Sequence, residues 1–84
     1  MDEKQRARII EMVRKYLAAH QPKDYELVID EQSVQQDDDW YYVLVEPSRE
    51  DVRSYDYSAR LAEAELDLQE QEKVNILLVP VLPN

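Results

Sequence analysis

Residues 40–46 read WYYVLVE, and this stretch decides the fold because almost every side chain in it is aromatic, β-branched or leucine. Such residues favour a pleated strand, and Pro47 closes the run because proline has no N–H to donate to a ladder. Apolar residues alternate between the two sides of this strand, Trp40, Tyr42 and Leu44 on one and Tyr41, Val43 and Val45 on the other. A strand that is apolar on both sides is typical of the centre of a sheet.

The segment before this strand predicts its antiparallel neighbour. Residues 25–30 alternate, with Tyr25, Leu27 and Ile29 on one face. The register changes by Val34, so we expect a bulge near residues 30–32. The three acids of residues 37–39 predict a tight turn, because Asp tolerates unusual backbone angles. A turn this short joins antiparallel strands.

Helices are predicted on both sides of this hairpin. Residues 2–20 repeat apolar side chains at spacings of three and four, and Pro22 follows. A Ser-x-x-acid pattern at residues 48–51 precedes a second helical stripe, which runs from about residue 52 to 71. Residues 74–79 are almost wholly apolar and predict a last strand. Residues 79–84 form an apolar, proline-containing tail.

The resulting order, α-β-β-α-β, predicts the α+β class and a single small domain spanning residues 1–84. We expect a two-layer α/β sandwich, with two helices on one face of a three-stranded mixed sheet. The final β-α-β unit crosses over right-handed, which makes its two strands parallel.

Composition excludes several kinds of site. The chain has no glycine, so a P-loop or a GxGxxG turn is absent, and no cysteine, so thiolate and Cys-zinc chemistry are absent. The net charge is −9, although residues 1–20 hold five basic residues against three acids. An acidic field repels nucleic acid and anionic membranes, so we expect neither as a partner. We expect no cofactor and a cytoplasmic location.

Two groups of residues are candidates for chemistry. Asp37, Asp38 and Asp39 are a weak metal candidate, since Ca²⁺ prefers six to eight oxygen ligands and three adjacent acids do not converge on one ion. His20 is the only histidine, which excludes paired-His metal sites. A single His beside scattered serines does not indicate a catalytic triad. We therefore predict that the chain is not an enzyme.

The predicted sheet has an apolar face that the two helices leave uncovered. Two helices can cover one face, yet the middle strand is apolar on both, and a small domain rarely leaves such a patch in water. We assign an interface to Tyr41, Val43 and Val45 together with Val28, and expect a homodimer or another protein as the partner. Alternatively, the apolar tail folds back over that face, or helices placed differently from this prediction flank the sheet.

Three functional hypotheses follow. The first is a non-catalytic protein-interaction module that self-associates through its sheet. The second is an acidic mimic of nucleic acid that presents five side chains of the second helix, Glu63, Glu65, Asp67, Glu70 and Glu72. The third is an enzyme or ligand-binding subunit whose site forms between chains.

Overall fold

The computed structural model describes residues 2–81, and it confirms the predicted α+β class with both helices on one face of a sheet. The elements, in chain order, are α1 (Glu3–Ala18), β1 (Leu27–Ile29), a one-turn 3₁₀ helix (Glu31–Ser33), β2 (Gln35–Asp37), β3 (Trp40–Pro47), α2 (Ser54–Glu72) and β4 (Ile76–Pro80). Neither α-helix combines the length and the apolar character that crossing a membrane requires.

Strand β3 is the centre of the sheet. Strands β1 and β2 pair antiparallel with one edge of β3, at its C-terminal and N-terminal ends respectively. Strand β4 pairs parallel with the other edge, so the sheet is mixed as predicted. The sheet is three strands wide at any point, although the chain forms four strands.

The chain forms a fourth strand because a one-turn 3₁₀ helix, rather than a single bulged residue, lies at the expected interruption. Ile29 faces Val45, and continuing that register would place Gln35 opposite Asp39, but Gln35 faces Tyr42. The offset of three residues equals the length of the 3₁₀ helix. The expected bulge thus lies at the predicted place, but it divides the first predicted strand into β1 and β2.

Local hydrogen bonds set the ends of the helices. The Asp2 carboxylate accepts a bond of 2.7 Å from the Gln5 N–H and caps α1. The Asp56 carboxylate accepts from the Arg53 N–H at 3.1 Å at the start of α2. The predicted cap at Ser48 has another role, because its hydroxyl accepts from the Glu26 N–H and extends the pairing of β1 with β3.

The core lies between the helices and one face of the sheet. Its side chains are all hydrophobic: Ile9, Ile10, Val13, Leu17, Leu27, Val34, Val43, Val45, Tyr57, Leu61, Ala64, Leu68, Ile76 and Leu78. No polar or charged residue is buried in the described part of the chain. Burial of these side chains between the helices and one face of the sheet therefore stabilises the fold, whereas neither helix packs on the other face.

The described part of the predicted tail does not fold back. Pro80 ends β4, and the Val81 N–H donates to the Val45 carbonyl at 3.2 Å, so the chain continues alongside β3. Residues 82–84, the rest of that tail, lie outside the described residues. Up to Val81, then, the tail belongs to the sheet rather than to a cover for it.

Candidate protein interface

The face of the sheet that points away from the helices is apolar. Residues that pair across strands share a face, and Tyr42 pairs with Leu77 while Leu44 pairs with Val79. We call this surface the open face. Its apolar side chains are Val28, Trp40, Tyr42, Leu44, Leu77 and Val79.

The open face has an apolar middle and a weakly acidic rim. Val28 is 40% exposed and Trp40 is 37% exposed, while the other four shield one another and are half-buried. Polar side chains occur only towards the ends and one edge, at Gln35, Asp37 and Glu46. The described strands carry no Lys or Arg.

The structure corrects the predicted interface in three of its four residues. Val43 and Val45 are fully buried against the helices. Tyr41 is half-buried on the same side, where its hydroxyl accepts a bond from the Gln5 side-chain amide of α1. Of the predicted set, only Val28 lies on the open face. Strand alternation separates the two sides of β3, but it does not say which side a helix covers.

The pairing of β1 with β3 could have identified the side of β3 that the helices cover. Leu27 and Ile29 form the apolar stripe of the first predicted strand, and Ile29 faces Val45 across the hairpin. Val28, on the other side of β1, faces Glu46. Following the continuous apolar stripe would have placed Val45 in the core and Val28 outside it.

Most acids of α2 have partners within the chain. The two His20 ring nitrogens lie 3.2 Å from Glu63 Oε2 and 3.1 Å from Asp67 Oδ2. Glu65 accepts a bond of 2.8 Å from the Leu78 backbone N–H. Glu72 accepts one of 2.7 Å from the Tyr16 hydroxyl. Four of the five acids in the predicted nucleic-acid mimic therefore have contacts within the chain.

The contacts around His20 were missed by sequence reasoning, which considered this residue as a metal ligand or a member of a catalytic triad. Its side chain is only 19% exposed, and Glu63 and Asp67 approach it from successive turns of α2. The Arg60 guanidinium adds a bond to the His20 carbonyl at 3.3 Å. The spacing of Glu63 and Asp67, four residues apart on one helix face, was the available signal. These contacts join the end of α1 to α2.

Two tyrosines have raised pKa values for different reasons. The hydrogen bond to Glu72, followed by burial, raises the pKa of Tyr16. Burial is the main cause that raises the pKa of Tyr57, whose hydroxyl donates to the Val81 carbonyl at 3.3 Å. Both phenols are therefore held in the neutral form, which suits a structural role.

The turn at Asp37, Asp38 and Asp39 is solvent-exposed, and Asp38 has a left-handed backbone with φ of 53°. This confirms the prediction that an aspartate would take the unusual angle of the hairpin. In the described part of the chain, no three His, Cys, Asp or Glu side chains are grouped to hold a metal ion.

Comparison of the chain with protein-family models, curated proteins and solved structures found no match.

Proposed function

We propose that this chain is a non-catalytic protein-interaction module and that its open face binds a second copy of itself. The observation that carries the proposal is the six apolar side chains on the side of the sheet that neither helix covers. Water contact at such a surface is unfavourable, and packing against an identical surface removes it.

The size of the open face indicates a weak and reversible dimer. Three strand positions about 4.8 Å apart and eight residues of β3 at about 3.3 Å each cover roughly 400 Å². A specific interface of standard size buries about 800 Å² per partner. We therefore expect a dissociation constant in the micromolar range or above.

The distribution of charge is compatible with this pairing. Each copy carries −9, and its open face holds acids only towards the rim, so two copies repel mainly at long range. Added salt screens that repulsion and leaves the apolar contact intact. A nucleic-acid mimic would lose affinity with salt instead, and the intramolecular contacts of four of its five acids count against it.

Replacing Leu77 by lysine tests the proposal. In the wild-type protein, sedimentation velocity across the micromolar range will give a mass that rises towards the dimer, and Leu77→Lys will stay monomeric because a charge enters the apolar middle. Val28→Lys repeats the test at a more exposed position. The single tryptophan, Trp40, lies on this face, so its emission will shift to the blue as the wild-type protein associates.

Leu66→Lys is the matched control, because Leu66 lies on α2 and is 54% exposed. It changes the net charge by the same amount and will leave the association unaltered. Circular dichroism of each variant separates loss of pairing from loss of folding. A wild-type protein that stays monomeric at high micromolar concentration, with and without added salt, overturns the proposal.

A further inference from the structure

The free edge of β4 is closed by side chains of α2. The Leu78 N–H, which points away from β3, donates to the Glu65 carboxylate at 2.8 Å. The Ile76 carbonyl on the same edge accepts from the Gln69 side-chain amide at 3.0 Å. Pro80, the next residue with that orientation, has no N–H at all. Two of the groups that another strand would bind are therefore occupied, and a third, the N–H at position 80, is missing.

The opposite edge of the sheet, formed by β1 and β2, is closed in a different way. The Gln21 amide accepts from the Leu27 N–H at 2.8 Å and donates to the Leu27 carbonyl at 3.1 Å. It thus makes both bonds that a neighbouring strand would make with this residue. Beyond β1, the 3₁₀ helix interrupts the edge, and β2 is only three polar, exposed residues long.

We infer that Gln21, Glu65 and Gln69 are edge-blocking residues, which prevent this chain from adding strands from other chains to its sheet. An unblocked edge is a template for pairing between chains, and proteins close such edges with charges, proline, bulges or covering elements. Here the chain has an apolar sheet and no glycine, so an open edge would lead to continuous assembly. The inference rests on these hydrogen bonds and not on the proposed dimer.

The test removes the blocking groups in a Leu77→Lys background, where association through the open face is already suppressed. Glu65→Ala with Gln69→Ala opens the β4 edge, and Gln21→Ala opens the β1 edge. Sedimentation velocity will detect species that grow with concentration, and thioflavin T will bind to them. In the monomer, the Leu78 amide will exchange its hydrogen at least about fivefold faster, which is the factor for one lost bond of about 1 kcal/mol.

Two controls distinguish edge opening from unfolding. Glu65→Gln keeps an acceptor oxygen for the Leu78 N–H and will remain monomeric in the same background. Gln71→Ala removes an exposed amide of α2 that has no edge bond among the described contacts, and it too will remain monomeric. The inference is overturned if the edge-opened variants stay folded and monomeric, or if Glu65→Gln assembles as readily as Glu65→Ala with Gln69→Ala. Each outcome is scored as assembly beyond that of Leu77→Lys alone, so it does not depend on whether Leu77→Lys alters the wild-type oligomer.

Discussion

At two positions within residues 2–81 the backbone takes a left-handed conformation without glycine. Asp38 has φ of 53° in the hairpin turn, and Lys73 has φ of 58° and ψ of 39° directly after α2. A side chain with a Cβ atom is strained in this region by about 1–2 kcal/mol. Asp relieves part of that strain through its short polar side chain, whereas Lys has no such means. The absence of glycine therefore has an energetic cost at the end of α2.

Lys73→Gly will stabilise the protein. Removing the backbone strain raises the free energy of unfolding by about 1–2 kcal/mol. The greater conformational freedom of glycine in the unfolded chain lowers it by about 0.5–1 kcal/mol. The net gain, up to about 1.5 kcal/mol, is measurable as a higher urea midpoint. Ala62→Gly, in the exposed middle of α2, is the control and will lower stability by about 1 kcal/mol. A loss of stability in Lys73→Gly would contradict the strain argument.

The raised pKa of Tyr57 predicts a loss of stability in alkali. The folded state holds the phenol proton more tightly than the unfolded state, whose phenol pKa is about 10. This contribution is complete below about pH 10 and declines as the pH rises through the folded value. In Tyr57→Phe, unfolding free energy will fall less steeply above pH 10, as measured by urea denaturation. Tyr55→Phe, at an exposed position, will keep the wild-type slope.

Among the elements, the two helices are joined by polar contacts at their edges as well as by the core. His20 contacts Glu63 and Asp67 at the end of α1, and the Tyr16 hydroxyl binds Glu72. The acidic face of α2 could be predicted from its sequence, but its partners could not. They come from a helix more than 40 residues away, and only the packing of α1 on α2 brings them together.

A double-mutant cycle between His20 and Asp67 will measure this contact. We expect His20→Ala to cost about 1 kcal/mol, because a largely buried ring loses its hydrogen bonds. The coupling with Asp67→Ala will be about 0.5–1 kcal/mol, since Asp67 is half-exposed and solvent weakens the pair. The exposed Arg49–Asp51 pair is the control and will show a smaller coupling. Equal coupling energies in the two pairs would contradict a specific link between the helices.

For the whole molecule, stability depends on one apolar layer. A chain of 84 residues has about 4–13 kcal/mol of unfolding free energy at 0.05–0.15 kcal/mol per residue. All the buried hydrophobic residues lie between the helices and one face of the sheet, and the open face adds little in the monomer. A single large cavity in this layer therefore removes a substantial share of the total.

Leu68→Ala will show this sensitivity. Leu68 is fully buried on α2, and truncating such a leucine costs about 2–5 kcal/mol. Thermal unfolding followed by circular dichroism will give a much lower midpoint. Leu66→Ala, on the exposed side of the same helix, will change stability by less than about 0.5 kcal/mol. If the two variants behave alike, the division of α2 into a buried and an exposed face is wrong.

The sequence by itself determined the class of the fold, the hairpin turn at Asp38, the place of the interruption before Val34 and the central position of residues 40–46. These features depend on local backbone preferences and on the spacing of apolar side chains, which neighbouring residues reveal. Only the tertiary structure decided that Val43 and Val45 face the helices while Tyr42 and Leu44 do not. It also decided that Gln21, Glu65 and Gln69 close the edges of the sheet. Both outcomes depend on contacts between distant segments, and alternation along a strand is the same whichever side is covered.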